Sequence, residues 1–413
     1  MRFLITILLL TYSCSALAIE APLVKTGAQM LHERGYEILQ GKRVGLITNH
    51  TAMVGDRHLI DLMHDSGAVR LTALFGPEHG LRGVAEDGVP VREGIDERTK
   101  VPVHSLYGKT TKPTPAMLTD IDVLVFDIQD IGARFYTYIS TLGLSMQAAA
   151  ASGKTFVVLD RPNPLGGTYI AGFVREPSLA SFVARYPIPV THGMTVAELA
   201  LMIKGEGFLP GLANLDLRIV RMEGWQRDMR WPATGLPWIG TSPNIPDFTT
   251  ALLYPGLCFL EATSISEGRG TREPFQVTGV PGLDADRLAK QLNAAKLPGI
   301  RFEPVAYTPR SLPGISSTPK FKDRKVSGVR LIVTDPAVFL PVETGIHLLA
   351  AYYGTKDRPG QADFFQRGGF DRLAGTKRLR QALRDRTPPA AIISSWQDEA
   401  EQFRERRRKY LIY

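Results

Sequence analysis

The stretch Asp122-Val-Leu-Val-Phe-Asp127 decides the fold, because it is a continuous apolar run closed by an acid. A short run that is apolar on both faces is typical of a strand in the middle of a parallel sheet. Helical patterns such as 138–151 lie between further runs of the same kind. Strands that alternate with helices predict parallel pairing through crossover helices, and hence an α/β, Rossmann-like doubly wound domain with a mostly parallel sheet. The other apolar runs are 43–48, 69–75, 101–106 and 155–160.

The alternation weakens beyond 231–246, a segment rich in Pro, Gly and Trp. We place a domain boundary at its end, so that 19–246 forms the Rossmann-like domain. Residues 247–413 then form a smaller α+β domain.

The first 18 residues have the pattern of a signal peptide. Arg2 supplies a positive charge, Phe3 to Leu10 form an apolar core, and Ala16-Leu17-Ala18 is an A-x-A cleavage site. The apolar core is too short for a membrane helix. We therefore expect no membrane span, and a periplasmic or secreted protein that begins near Ile19.

The net charge and the absence of several motifs narrow the range of possible functions. The 413 residues carry a formal net charge of +8, which suits anionic ligands such as carboxylated sugars. No nucleic-acid-binding motif is present, so nucleic acid is not an expected partner. The first strand is not followed by G-x-G-x-x-G, and no histidine spacing is typical of a metal site, so we expect neither cofactor nor metal. A G-x-S-x-G nucleophile elbow is also absent.

Polar residues follow five predicted strands at the point where each ends, and the one after the run 101–106 is Tyr107. The carboxyl ends of parallel strands meet at one edge of the sheet, where ligands bind. Structural alternatives exist for these residues: Asn49 suits a helix cap, and Asp127 suits a buried pair with Arg161. The candidates from the strand ends are Asn49, His50, Glu78, His79, Arg82, Asp127, Asp130, Arg134, Tyr136, Arg161 and Asn163.

Two later loops add candidates. Asn244 is bracketed by prolines in Ser242-Pro-Asn-Ile-Pro246, which suits either a rigid turn or a ligand contact. Glu267 and Arg269 lie in the glycine-rich segment Ser266-Glu-Gly-Arg-Gly-Thr271, which suits either a ligand contact or a solvated loop with a weak surface ion pair.

Glu78 is the strongest single candidate. The strand at 69–75 cannot continue through Gly76-Pro77. A carboxyl group therefore stands directly beyond a strand end, with an imidazole next to it. A polar turn without function fits this local pattern equally well.

Six motifs together resemble one family, the exo-β-N-acetylmuramidases called NamZ, formerly uncharacterised YbbC-like proteins. The resemblance runs from about residue 25 to the C-terminus. The motifs are Leu46-Ile-Thr-Asn-His-Thr51, Phe75-Gly-Pro-Glu-His-Gly-Leu-Arg-Gly83, Val125-Phe-Asp-Ile-Gln-Asp-Ile-Gly-Ala-Arg-Phe-Tyr-Thr-Tyr138, Leu159-Asp-Arg-Pro-Asn-Pro-Leu-Gly-Gly167, Ser242-Pro-Asn-Ile-Pro246 and Glu267-Gly-Arg-Gly-Thr271.

The resemblance implies a secreted glycoside hydrolase that releases terminal N-acetylmuramic acid from the non-reducing ends of peptidoglycan fragments. It also implies a cleft between two domains, with the family's proposed catalytic glutamate in G-P-E-H-G, which is Glu78 here. Its expected partners are muramic acid saccharides derived from peptidoglycan. A non-catalytic periplasmic muropeptide-binding protein and a peptidoglycan ester or acyl hydrolase are the alternative functions.

Most glycosidases place two carboxylates around an oxocarbenium-like transition state. We expect Glu78 to be the general acid. The partner carboxylate stays open among Asp127, Asp130 and Glu267, in that order, and substrate-assisted catalysis by the 2-acetamido group needs no partner. The lactyl carboxylate of muramic acid needs a cation, for which Arg134, Arg161 and Arg269 are the candidates.

Overall fold

The structure is a computed structural model that describes residues 24–81, 93–355, 364–366 and 368–413. The predicted signal peptide and Arg82 lie outside the described residues. The strands are β1 (Arg43–Thr48), β2 (Met53–Val54), β3 (Arg57–His58), β4 (Arg70–Gly76), β5 (Gly94–Ile95), β6 (Pro102–Ser105), β7 (Val123–Asp127), β8 (Thr155–Leu159), β9 (Leu217–Val220), β10 (Val277–Val280), β11 (Ile300–Tyr307) and β12 (Val326–Val333). The helices are α1 (Gly27–Glu33), α2 (Leu59–Asp65), α3 (Tyr138–Ala151), α4 (Val196–Gly205), α5 (Phe248–Leu257), α6 (Ala285–Ala294), α7 (Pro341–Gly354), α8 (Gly369–Ala374), α9 (Arg378–Arg384), α10 (Pro389–Ser394) and α11 (Gln397–Arg407).

Seven strands form one sheet in the order β5-β6-β4-β1-β7-β8-β9. The pairs from β6 to β9 are parallel, and β5 adds an antiparallel edge. The chain runs outward from β1 to β4 and β6, and then returns to add β7, β8 and β9 on the other side of β1. This order confirms the doubly wound fold and places its crevice between β1 and β7.

The sheet is buried on both faces, as the sequence of β7 predicts. Val123 and Val125 pack with α1 and α2, whereas Leu124 and Phe126 pack with α3 and α4 on the opposite face. Thr195 begins α4 with a capping box, in which its hydroxyl and the Glu198 carboxylate satisfy each other's backbone N–H groups.

The second unit is the smaller α+β part, as predicted. Strands β10, β12 and β11 form an antiparallel sheet that α6 covers. Helices α5 and α7 cross closely at Gly256 and Gly345. A Cβ added at Gly256 would lie 2.0 Å from the Pro341 carbonyl oxygen, so the crossing requires glycine. Residues on both sides of the predicted boundary at Asp247 share one hydrophobic core, and the boundary itself stays a prediction.

The C-terminal helix returns to the first unit. Arg407 is buried and donates to the carbonyl oxygens of His192 and Gly193, and the Tyr413 hydroxyl donates to Asp160 at 2.8 Å. These contacts of the C-terminal segment hold the two units together. Within the described ranges, no helix is long and apolar enough to cross a membrane.

Candidate active site

A cavity of about 330 Å³ lies beyond the carboxyl ends of β4 and β6, between the parallel sheet and the second unit. Its walls come from the turn after β4, the start of α3, the 241–246 loop and the segment 254–275. Five of the residues predicted from the sequence line it, namely Glu78, His79, Tyr136, Asn244 and Arg269.

The turn after β4 places Glu78 at the cavity wall. The Gly80 N–H donates to the Pro77 carbonyl oxygen at 2.9 Å and closes the turn. His79 and Gly80 both have positive φ, at 70° and 75°. A histidine in this left-handed region is uncommon, and such conformations cluster at functional sites. The consequence is that Glu78 is half-buried and faces the start of α3.

Thr137 fixes the orientation of the Glu78 carboxyl group. Thr137 occupies the N-cap position of α3, but its side chain makes no bond to the helix backbone. Its hydroxyl instead donates to Glu78 Oε2 at 2.6 Å. One carboxyl oxygen is therefore held by the protein, in a side chain that lines the cavity.

Two tyrosines form a rigid aromatic wall. The hydroxyl of Tyr136 donates to Thr241 Oγ1, and that of Tyr138 donates to the Thr241 carbonyl oxygen, each at 2.7 Å. Asn49 supports this wall from behind, because its Nδ2 donates to the Tyr138 hydroxyl at 3.1 Å. Burial raises the pKa of Tyr138 well above its usual value, so the phenol stays neutral. The wall offers flat apolar ring faces to a ligand.

Asn244 presents an acceptor that no described residue satisfies. Its Nδ2 donates to the Ile315 carbonyl oxygen at 2.8 Å, which fixes the amide orientation. Its Oδ1 is buried and has no hydrogen-bond partner among the described residues. A buried unpaired acceptor costs about 1–3 kcal/mol. A ligand N–H or O–H at this position would remove that cost.

Arg269 lines the cavity together with Glu261, a carboxylate that sequence reasoning missed. Arg269 Nη2 lies 2.8 Å from Glu261 Oε1. Glu267 is buried and pairs with Lys320 at 2.9 Å, and it lies 3.7 Å from Arg269 Nε. Glu267 therefore anchors the loop from behind, which corrects both its assignment to the ligand and the solvated-loop alternative.

Glu261 had no motif around it to mark it. The available signal was its position, as a single acid in the otherwise apolar run 257–262. An acid there must either reach solvent or line a cavity.

Asp127 and Arg161 lie outside this cavity, which corrects their assignments as second catalytic carboxylate and carboxylate-binding cation. Asp127 is completely buried, and its two oxygens accept from Arg161 Nε at 2.5 Å and Nη2 at 2.9 Å. The pair forms because β7 and β8 are neighbours, so that their carboxyl ends are adjacent. The buried pair of Asp127 with Arg161, which the sequence also suggests, is the arrangement found.

Arg134 also has a structural position rather than a place in the cavity. It is 1% exposed and donates to the carbonyl oxygens of Phe173, Ile188 and Leu373 at 2.7–2.8 Å. Burial lowers its pKa to about 9. Its guanidinium ties the segment between β7 and α3 to α8, which corrects its assignment to the lactyl group.

The remaining candidates hold loops. Asn163 accepts from the Leu165 N–H and donates to the Met194 carbonyl oxygen, each at 3.0 Å, as a turn residue does. His50 Nε2 lies 2.5 Å from the Gly240 carbonyl oxygen, and burial lowers the pKa of its ring. Arg82 stays a prediction outside the described residues.

Asp130 makes stability depend on pH. Its Oδ2 accepts from the Gly132 N–H at 2.7 Å, and its Oδ1 has no partner among the described residues. Burial raises its pKa from 3.8 to about 7. A raised pKa means that the folded state binds the proton more tightly. The free energy of unfolding is then highest below about pH 4 and falls as pH rises to about 7.

We expect Asp130→Asn to abolish this fall in the free energy of unfolding with rising pH. Relative to the parent, the variant should gain on the order of 3 kcal/mol in the free energy of unfolding between pH 5 and pH 8, because that interval covers about two pKa units. Urea unfolding at both pH values measures the effect. An identical pH dependence in the two proteins would show that Asp130 is ionised in the folded state at pH 5.

Comparisons with known proteins agree with this architecture. The sequence profile for the N-terminal part of exo-beta-N-acetylmuramidase NamZ matches residues 44–249, and that for the C-terminal part matches 252–413. The chain is 43% identical over 393 residues to peptidoglycan beta-N-acetylmuramidase NamZ of Bacillus subtilis (95% of this chain, 92% of that protein).

Two crystal structures of DUF1343 family proteins from Bacteroides fragilis are similar throughout. One has a TM-score of 0.86 at 39% identity and covers 94% of this chain and 99% of that chain. The other has a TM-score of 0.77 at 31% identity and covers 95% and 99%. The chain, matched along both of its parts, belongs to the NamZ family of exo-β-N-acetylmuramidases.

Proposed function

We propose that this protein is a secreted, exo-acting glycoside hydrolase that releases terminal N-acetylmuramic acid from the non-reducing ends of peptidoglycan fragments. The observation that carries the proposal is the oriented carboxyl group of Glu78 in a cavity that also presents Arg269 and the Asn244 acceptor. The activity named for the Bacillus subtilis relative supports it. A volume of about 330 Å³ suits one or two sugar units, and hence action at a chain end.

In the proposed cleavage, Glu78 acts as the general acid. Its carboxyl proton passes to the glycosidic oxygen as the bond to the anomeric carbon breaks. Water then supplies the hydroxyl of the released sugar, and the other proton of that water passes to a carboxylate of the cavity. Thr137 holds the opposite carboxyl oxygen, so the acid keeps its orientation during this transfer.

Glu261 replaces Asp127 as the first candidate for the second carboxylate, because Glu261 shares the cavity with Glu78. Its Oε1 lies 2.8 Å from Arg269 Nη2, which holds the carboxylate in place at the cavity. The Asn244 Oδ1 acceptor suits the acetamido N–H, which keeps substrate-assisted catalysis as the alternative route.

Arg269 is the cation that we assign to the lactyl carboxylate. We expect Arg269→Ala to lower kcat/KM for N-acetylmuramic acid glycosides about 10- to 100-fold more than for N-acetylglucosamine glycosides, because a hydrogen bond to a charged group contributes about 1.5–3 kcal/mol. Arg269→Lys keeps the charge, so its kcat/KM for N-acetylmuramic acid glycosides should lie between those of the parent and of Arg269→Ala. Equal losses on both sugars would exclude a role in recognising the lactyl group.

The function is tested with a muramic acid–glucosamine disaccharide whose reducing end has been reduced to the alditol. Mass spectrometry should detect free N-acetylmuramic acid and N-acetylglucosaminitol. A binding protein would return the disaccharide intact, and an ester or acyl hydrolase would leave the glycosidic bond in place. Export is supported by the pattern of the first 18 residues, and N-terminal sequencing of the exported protein should find a start near Ile19.

A further inference from the structure

A second cavity, of about 430 Å³, lies at the crevice of the doubly wound sheet. Thr51 after β1, Gln129 after β7 and Arg161 after β8 line it, and the loop 231–239 closes it from the other side. Doubly wound sheets bind ligands at the point where the strand order reverses, which here lies between β1 and β7. The Glu78 cavity lies beyond β4 and β6 instead, so the usual ligand position of this fold has no role in the proposed hydrolysis.

Gln129 leaves an acceptor unsatisfied at this cavity. The residue is 3% exposed, and its Nε2 donates to the carbonyl oxygens of Asp130 and Pro162 at 2.7 and 2.8 Å. These two bonds fix the amide orientation. Oε1 then has no hydrogen-bond partner within the described part of the chain.

Trp231 adds an unsatisfied donor. It is 6% exposed, and its Nε1 also has no partner among the described residues. Trp231 packs edge to face against Trp238 at 5.0 Å, which holds the indole in place. A buried acceptor and a buried donor at one cavity each carry an unmet desolvation cost of about 1–3 kcal/mol, which a ligand with both hydrogen-bonding functions would relieve.

Two cationic side chains line this cavity, and each is already in an ion pair. Arg161 uses Nε and Nη2 on Asp127, which leaves Nη1 as the guanidinium nitrogen outside that pair. Lys25, the other cation among the described lining residues, pairs with Glu33 at 3.0 Å and Glu223 at 3.6 Å. Arg161 Nη1 is therefore the donor that this cavity offers to an anionic group. Met53, Trp231 and Leu236 supply apolar faces. These features fit an anion with apolar faces, an N–H or O–H donor and a carbonyl acceptor.

We propose that this cavity is a second ligand site, which binds a free acylated amino sugar carrying a carboxylate. The choice of ligand rests on the proposed function, since N-acetylmuramic acid is the sugar that the Glu78 cavity would release. The loop 235–245 separates the two cavities: Pro237 and Ile239 face the second, and Ser242 and Asn244 face the first. The bound sugar therefore contacts the wall of the hydrolytic cavity.

Fluorine NMR on protein labelled with 5-fluorotryptophan tests the proposal. The chain has four tryptophans, and none is among the described residues that line the Glu78 cavity. The Trp231 signal, assigned with Trp231→Phe, should shift saturably with free N-acetylmuramic acid. Trp396, buried against Phe173, is the internal control and should not shift. N-acetylglucosamine, which lacks the carboxylate, should bind at least about 10-fold more weakly, the effect of one charge-assisted contact.

Two variants that fill the cavity make the test specific. Met53→Tyr and Leu236→Tyr, from separate segments, should each abolish the Trp231 shift. Asp56→Tyr, an exposed position in the turn next to Met53, should keep it. The absence of a saturable shift, equal binding of the two sugars, or a shift that survives both filling variants would overturn the proposal. Cleavage of the disaccharide by the same preparations is measured separately, so failure of the proposed hydrolysis is distinguishable from failure of this site.

Discussion

Glu78→Gln is expected to lower kcat for release of N-acetylmuramic acid by about 10²- to 10⁴-fold, the usual contribution of a general acid. Glutamine keeps the shape of the side chain, and its amide oxygen can still accept from the Thr137 hydroxyl. What it lacks is the proton that the leaving oxygen needs. The thermal unfolding midpoint should stay within about 2 °C of the parent, because Glu78 is half-buried and makes no ion pair among the described contacts.

The matched control is Glu97→Gln, which makes the same chemical change at an exposed position. It should leave turnover of a chromogenic muramic acid glycoside unchanged. Near-normal turnover by Glu78→Gln would remove Glu78 from the mechanism. A large loss in both variants would point to a general effect of charge.

Asp127→Asn is expected to destabilise the protein by about 3–5 kcal/mol, because it leaves the Arg161 charge buried without its partner. Urea unfolding measures the change. The double variant Asp127→Asn/Arg161→Met should recover part of the loss, since removing both charges avoids the unpaired one.

The folded fraction of Asp127→Asn should keep most of the parent kcat, because Asp127 does not line the Glu78 cavity. A stable but inactive Asp127→Asn protein would reverse this assignment. It would restore Asp127 as the catalytic partner that the strand-end argument favours.

The fold could be predicted because it depends on interactions between residues that are close in the sequence. The run that ends at Asp127 is apolar on both faces, and both faces of β7 are buried. The capping box at Thr195 is likewise a local interaction between residues three apart. Glu78 could be singled out for the same reason, since a strand that meets Gly76-Pro77 must end there.

The site could be predicted only in part, because a strand end gives the edge of the sheet but not the partner of each side chain. Asp127 and Arg161 end neighbouring strands and neutralise each other. Arg134 meets the Leu373 carbonyl oxygen, 239 residues away in the sequence, and no local pattern indicates that contact. Glu261 and the free Asn244 Oδ1 depend in the same way on how the second unit packs against the first.

The most direct measurement is a crystal structure of Glu78→Gln with the muramic acid–glucosamine disaccharide bound. The account predicts the muramic acid ring against the Tyr136 wall. It also predicts the glycosidic oxygen within hydrogen-bond distance of the side chain at position 78, and the lactyl carboxylate on Arg269. A disaccharide whose glycosidic oxygen lies away from position 78, or a lactyl group held by other residues, would contradict it.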